Sequence, residues 1–488
     1  MADKLVITKQ NESVLQIKCD PSIAEELKEF FSFYVPGYKF MPAYKHKVWD
    51  GKIRLFNKMT GELNAGLWLN LKKFAKDRSY VVETKETDYG LPLGDDNIPD
   101  IDFNLPLTLR DYQEEAVKLA LKRNRAIILS PTGSGKSFII YVIIKYYLER
   151  IEENKKVLII VPTTGLVEQL FNDFIDYGMK AEDYVHKIYS GKDKKTEKRV
   201  IISTWQSIYK LPKKWFEQFG MIFGDECHGF KSKSLSSIMN KSTEAKYRFG
   251  TTGTLDGTLT HKLVLEGLFG PVFKAISTKQ LQDNDTLAPL DIKILLLNYD
   301  KNIRQSFGKR TYQDEINYII THKNRNNFIK KLALNCEGNT LVLFLRVETH
   351  GKILFDLINN DKEEKRKAFF VSGEVATADR EAIRGIVEKQ KNAIIVASLG
   401  TFSTGVNIRN LHNIIFASPS KSQIRVLQSI GRGLRKSDNG KSTKLFDIAD
   451  DLHWKKRQNY TLTHSAERLK IYKREQFKYK VVVVDINE

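Results

Sequence analysis

Cysteine is scarce: Cys19, Cys227 and Cys336 are widely separated, and there is no fourth. An odd, scattered set excludes a disulfide framework, carries no metal-ligand spacing and predicts a reducing compartment. No apolar run approaches the roughly twenty residues that a membrane span needs. The opening Met1-Ala-Asp-Lys4 lacks the layout of a signal peptide. The expectation is a cytoplasmic protein without a membrane partner. Acidic residues are also in deficit: 59 Asp+Glu face 79 Lys+Arg, a formal charge of +20. Such an excess favours polyanionic partners through counterion release, although it also serves solubility. Low-complexity tracts and readable internal repeats are absent too. What remains is a chain of 488 residues with 41% hydrophobic content, enough for several cores. That length suits about three domains.

Residues 1–95 read as a small α+β domain. Val14–Ile17 and Lys52–Phe56 look like strands, and Ile23–Phe31 has helical spacing after Pro21-Ser22. Pro92–Pro106 carries Pro, Gly and Asp without periodicity and reads as a linker. Beyond it, short apolar runs alternate with helical patterns. Ala126–Leu129, Val157–Val161, Val200–Ser203 and Met221–Gly224 are predicted strands. The pattern weakens between 272 and 335. It resumes with Leu341–Phe344, Ala368–Val371, Ile394–Ala397 and Ile414–Ala417, and a helix at Ile424–Ile430. Alternation of this kind predicts parallel sheets flanked by helices. The expected fold is α/β: two lobes, 105–285 and 286–450, behind the N-terminal domain and before a basic C-terminal segment, 451–488.

The strongest motif is Ser130-Pro-Thr132-Gly133-Ser134-Gly135-Lys136-Ser137, placed between a predicted strand and a predicted helix. Gly133 and Gly135 let the backbone curl so that its N–H groups, with those of Thr132 and Ser134, face phosphate oxygens at a helix N-terminus. Lys136 reaches the β- and γ-phosphates of ATP, and Ser137 places a hydroxyl on Mg²⁺. A bare Gly/Ser turn is the alternative; the strand–loop–helix context opposes it. Met221–Gly224 leads into Asp225-Glu226-Cys227-His228. A strand ending in Asp suits Mg²⁺ held through water, and the next carboxylate suits a general base for the attacking water. Cys227 reads as a small packing residue.

Asp225-Glu-Cys-His228 resembles the DExH signature of superfamily 2 helicases, and other segments resemble that family's motifs in order. Leu109-Arg110-Asp-Tyr-Gln113 is similar to the adenine-reading segment. Val161-Pro-Thr163-Thr164 and Ser203-Thr204-Trp-Gln206 resemble strand-contacting motifs. Thr252-Gly-Thr254 sits where many relatives carry Ser-Ala-Thr, and with His228 it implies coupling. Ser403-Thr404-Gly405-Val-Asn407 and Gln428-Ser-Ile-Gly-Arg432-Gly-Leu-Arg435 resemble the fifth and sixth motifs. The resemblance implies two RecA-like lobes, Gln428, Arg432 and Arg435 facing the γ-phosphate, and Gly405 near the nucleotide. It further implies that Thr163, Thr204 and Thr404 hold the backbone of one strand. Each threonine has a plainer reading as a turn or cap residue. Features such as Trp49-Asp-Gly51-Lys-Ile-Arg-Leu55 and Val371-Ser-Gly-Glu-Val375 extend the likeness to the phage UvsW-type recombination helicases. That family implies branched DNA as substrate, unwound, regressed or annealed; the chain is expected to act as a monomer, in the host cytoplasm if phage-encoded.

Two basic regions stand outside the motifs. Gly37–Lys58 interleaves Lys45, Lys52 and Arg54 with Tyr38, Phe40, Tyr44, Trp49 and Phe56. Basic and aromatic side chains together suit phosphate contact plus base stacking. The alternative is a small core with solvated lysines. Lys455–Arg474 reads as a second basic region or as a solvated helix face. Three functions stay open: a DNA helicase, an RNA helicase with the same lobes, and a binding module with an inert ATP site. A restriction translocase is related, but no nuclease constellation accompanies the motor.

Overall fold

The computed structural model describes residues 4–90, 105–255, 259–284, 290–375, 377–404, 410–418 and 442–486. The chain divides into two compact units, one reaching Ile276 apart from the loop Pro131–Ser134, the other running from Ser277.

The first unit begins with β1 (Lys4–Lys9), β2 (Val14–Lys18), α1 (Pro21–Phe30), β3 (Ser32–Tyr34), β4 (Lys52–Arg54), β5 (Phe56–Asn57), β6 (Glu62–Asn64), α2 (Trp68–Asp77) and β7 (Val81–Lys85). Five of these strands make a mixed sheet in the order β5-β6-β2-β1-β7, and β3 and β4 pair separately. Pro21 opens α1, where its missing N–H costs nothing. Leu5, Ile7, Leu15, Ile17, Leu27 and Phe74 fill the core. The single predicted strand Lys52–Phe56 is two strands in different sheets, broken at Leu55.

The chain continues through α3 (Asp111–Arg123), β8 (Arg125–Leu129), α4 (Lys136–Leu148), β9 (Lys156–Val161), α5 (Thr164–Asp176), β10 (Val185–Ile188), β11 (Val200–Thr204), β12 (Phe219–Asp225), β13 (Tyr247–Thr252), α6 (Leu259–Phe269) and β14 (Val272–Lys274). The sheet order is β10-β11-β9-β12-β13-β8-β14, with every pair parallel. Continuous apolar runs such as Val157-Leu-Ile-Ile-Val161 are buried on both faces, as a helix-covered parallel sheet requires. This is a RecA-like lobe.

Within this unit the N-terminal domain is fixed to the lobe by buried polar groups. Glu12 Oε2 lies 2.8 Å from Lys9 Nζ and 3.0 Å from Arg125 Nη2. Arg248 Nη2 donates to Ser13 Oγ at 2.7 Å, and Nε to the Ala245 carbonyl at 2.9 Å. Lys9, Glu12, Ser13, Arg125 and Arg248 are all buried. Gly66 is a glycine by necessity, since a Cβ there would lie 2.1 Å from the Glu266 carbonyl of α6.

The second unit holds β15 (Leu290–Tyr299), α7 (Tyr312–Thr321), α8 (Lys323–Asn335), β16 (Thr340–Phe344), α9 (Lys352–Asp361), β17 (Ala368–Val371), α10 (Thr377–Lys389), β18 (Ile394–Ser398), α11 (Leu399–Thr404), β19 (Asn413–Phe416), β20 (Thr443–Asp451), α12 (Tyr460–Arg474) and β21 (Tyr479–Ile486). Its sheet is parallel throughout, in the order β17-β18-β16-β19-β20-β15-β21, and is the second RecA-like lobe.

The basic C-terminal stretch contributes α12 and β21 to this lobe. Arg468 is buried there, bonded to Asp447 at 2.6 Å, and Tyr472 OH donates to the same carboxylate at 2.7 Å. Arg468 is therefore structural and does not belong to a solvent-facing basic patch. Arg325 and Asp450 form a second buried pair at 2.6 Å.

Candidate functional site

The carboxyl ends of parallel strands leave a row of loops free to carry chemistry. In the first lobe, Ser130–Lys136 follows β8 and opens α4. Gly133 and Gly135 both adopt positive φ, 86° and 75°. At Gly135 the need is double, because a Cβ would also lie 2.4 Å from Gln113 Nε2. Gln113, from the expected adenine-reading segment, is thus packed against the phosphate loop. Its Oε1 accepts from the Arg110 backbone N–H at 3.0 Å, and the Arg110 guanidinium donates to Tyr112 OH. Ser134 Oγ donates to the Pro131 carbonyl at 2.7 Å, pinning the loop. Lys136 Nζ donates to the Ser130 carbonyl at 3.3 Å. The Ser137 and Tyr177 hydroxyls lie 3.0 Å apart.

Strand β12 ends at Asp225, beside Thr251 of β13 in register. Asp225 Oδ1 accepts from Thr251 Oγ1 at 2.8 Å and from the Glu226 N–H at 2.9 Å. Burial, and then the adjacent Glu226 charge, push the Asp225 carboxyl up to about 6, against the pull of Lys136. A carboxyl group held so short of positive charge, close enough to feel Lys136, fits a divalent cation. Glu226 sits in the left-handed region at φ 50°, uncommon for a non-glycine residue and a mark of functional sites. Thr252 Oγ1 donates to Glu226 Oε2 at 3.5 Å. His228 Nδ1 is 3.3 Å from that same oxygen and 3.0 Å from Thr252 Oγ1. The Thr254 N–H reaches Thr252 Oγ1 at 3.4 Å. The four residues assigned to general-base and coupling roles therefore form one hydrogen-bonded group. Cys227 beneath them is fully buried, its Sγ 2.9 Å from where a Cβ on Gly250 would stand.

Two of the expected strand-contacting threonines, Thr163 and Thr204, lie at the ends of β9 and β11 on this edge with their hydroxyls engaged locally. Thr163 caps α5, accepting from the Leu166 N–H at 3.4 Å, and buried Thr204 is bonded to Ser207 Oγ at 2.9 Å. In the second lobe, Thr404 ends α11. Gly405, Gln428, Arg432 and Arg435 lie outside the described residues. In the N-terminal domain Lys45 is exposed. Lys52 Nζ stands 4.9 Å over the Tyr34 ring, and Arg54 is paired with Asp50. Sequence reading missed Thr251 and Tyr177. Strand register alone finds Thr251, and nothing in the sequence marks Tyr177.

Comparison with known proteins covers both halves of this architecture. Residues 5–85 match the family described as DNA helicase UvsW, N-terminal. Residues 106–257 match Type III restriction enzyme, res subunit. The chain is 36% identical to the ATP-dependent DNA helicase uvsW of Enterobacteria phage T4, with 97% of this chain and 98% of that protein covered. The crystal structure of the UvsW helicase from bacteriophage T4 aligns at TM-score 0.50 and 34% identity, over 56% of this chain and 99% of that one. A type ISP restriction-modification enzyme, LlaBIII, bound to DNA, shares the fold at TM-score 0.57 and 17% identity, over 84% of this chain and 34% of that one. Identity at that level across almost the whole of both proteins places the chain in the UvsW family of ATP-dependent DNA helicases, within helicase superfamily 2.

Proposed function

We propose that this DNA helicase acts on branched DNA, unwinding or remodelling junctions, forks and displaced strands, and that it works as a monomer. The observation that carries the reading is the N-terminal domain. It matches the UvsW N-terminal family, and the buried Glu12–Arg125 ion pair, with the Arg248–Ser13 bond beside it, fixes it to the ATP-binding lobe, so it moves with the motor. A rigid attachment of this kind suits a domain that meets DNA beside the advancing strand.

ATP is held by the loop around Gly133 and Gly135, with Lys136 on the β- and γ-phosphates and Gln113 and Arg110 at the base. Ser137 and Asp225 fit Mg²⁺, which when bound would neutralise phosphate charge and orient the γ-phosphoryl group. Glu226 orients the attacking water and accepts its proton. His228 and Thr252 hold the Glu226 carboxylate and Thr254 braces Thr252, so a shift in β13 reaches the base directly. Gln428, Arg432 and Arg435 act on the charge that develops on the γ-phosphate. Thr163, Thr204 and Thr404 hold the sugar–phosphate backbone of one strand, a contact that carries little sequence information.

The test is steady-state ATP hydrolysis without nucleic acid and with single-stranded, forked and duplex DNA and with RNA, with Lys136→Ala as control. Strongest stimulation by forked DNA, lost in the control, is expected. Stimulation chiefly by RNA would overturn the substrate assignment.

A further inference from the structure

Between β3 and β4 the chain makes an excursion, residues 35–51, outside the five-stranded sheet. The Val35 N–H donates to the Gly51 carbonyl at 2.8 Å and closes its neck. A 3₁₀ turn at Tyr38–Phe40 and one helical turn at Pro42–Lys45 shape it. It has a small aromatic base of its own. Tyr34 and Tyr38 stack with centroids 4.6 Å apart, and Tyr44 meets Tyr38 edge-on at 4.8 Å. Gly51 makes room for this base, since a Cβ there would lie 2.3 Å from the Tyr38 ring. Trp49 Nε1 donates to the Lys52 carbonyl at 2.9 Å. These tyrosines and Trp49 are accounted for by packing.

Phe40 and Val48 are not. Phe40 is 80% exposed and Val48 77%. Lys39, Lys45 and Lys47 surround them in sequence and are exposed. Asp50 is the sole acid between 35 and 51, and Arg54 already binds it. A bare phenyl ring gains nothing from exposure to water. An acidic protein surface would answer the lysines but offer no flat partner for the ring. An unpaired DNA base with its phosphates answers both, because every base has a π-face and stacking tolerates any sequence.

We propose that the excursion is a stacking tip: Phe40 covers an unpaired base at the branch while Lys39, Lys45 and Lys47 take the flanking phosphates. This rests on the branched-DNA reading above and names the side chain that meets the branch. Lys45, picked out from sequence, belongs to the tip; Lys52 and Arg54 belong to its neck.

The experiment uses the full chain without ATP. Its probes are forked DNA and a single strand, each carrying 2-aminopurine, at the branch in the fork, and read by anisotropy and base fluorescence. Phe40→Ala should weaken fork binding roughly 5- to 150-fold, the range that loss of one base–aromatic stack covers, and abolish the fluorescence change. Phe40→Trp should restore both. Replacing the three lysines by alanine should lower the slope of log affinity against log salt by about 2 to 3. A Phe40→Ala protein that binds both probes as wild type does overturns the proposal. Wild-type protein that shows no preference for the fork, combined with a Phe40→Ala loss on the single strand, overturns the branched-DNA reading and leaves the stacking tip standing.

Discussion

Replacing Glu12 by alanine should loosen the N-terminal domain from the motor more than any surface change could. Among the described residues Glu12 is the one carboxylate paired with Lys9 and Arg125, with Arg248 close by, all of them buried. Arg248 rests on neutral acceptors: Ser13 Oγ and the carbonyls of Ala245, Met239 and Ser242. Without Glu12, Lys9 and Arg125 are left as buried cations without their counter-charge. Breaking a buried pair in this way costs about 3–5 kcal/mol. For a unit of this size each kcal/mol moves the midpoint by about 2–4 °C, so the first unit should melt roughly 6–20 °C lower. Scanning calorimetry of the full chain reads this, and hydrogen exchange locates the opening at β1, β2 and the start of β8. Glu12→Gln should cost less, because its amide oxygen still accepts. Adding Arg248→Met to Glu12→Ala should recover part of the loss, since it removes one of the crowded positive charges. A shift under about 2 °C in Glu12→Ala would refute the argument that this cluster fixes the domain.

Four further outcomes are expected. Glu226→Gln should bind ATP but turn over poorly, by roughly 10²–10⁴-fold, in single-turnover assays; normal hydrolysis would remove Glu226 from the base role. Tyr177→Phe frees the Ser137 hydroxyl while keeping the ring against Phe138, so binding of a fluorescent ATP analogue should saturate at lower Mg²⁺; an unchanged Mg²⁺ dependence would refute this. Lys9 is pushed down to about 8 by burial from its ordinary 10.5. The unfolded chain therefore holds more protons between those values, and Lys9 costs stability below pH 8 that is regained as pH rises to 10.5, up to roughly 3 kcal/mol. Thermal midpoints of wild type and Lys9→Met should converge or cross over that window; parallel curves would contradict it. Gly135→Ala should abolish nucleotide binding in a filter assay, because φ is 75° and Gln113 occupies the space.

The sequence was most legible where a strand is buried on both faces and its loop carries chemistry. Val157–Val161 and Met221–Gly224 announce themselves as apolar runs, and the phosphate loop and Asp225-Glu226 follow from what such strands present at their carboxyl ends. It was least legible where structure depends on distant partners. Leu290–Tyr299 is paired on both sides in the second sheet, yet Asp291, Lys293 and Asn298 interrupt its pattern, and its neighbours β20 and β21 begin at 443 and 479. Arg468 reads as one more basic side chain until Asp447 comes beside it. Glu12 and Arg125 meet across more than a hundred residues, and no local rule pairs them.

The position of β15 has a consequence for how the protein is made. Both of its flanking strands are translated long after it: β21 emerges only near residue 486. At about 5–20 residues per second, Leu290–Tyr299 waits roughly 8–30 s for β20 with both hydrogen-bonding edges open, and roughly 9–37 s for β21. A ten-residue strand with the apolar run Ile294–Leu297 at its centre is, in that condition, a template for pairing with the wrong chain. Ribosome-bound chains stalled before residue 443 should hold chaperones at this segment, and release beyond 486 should shed them.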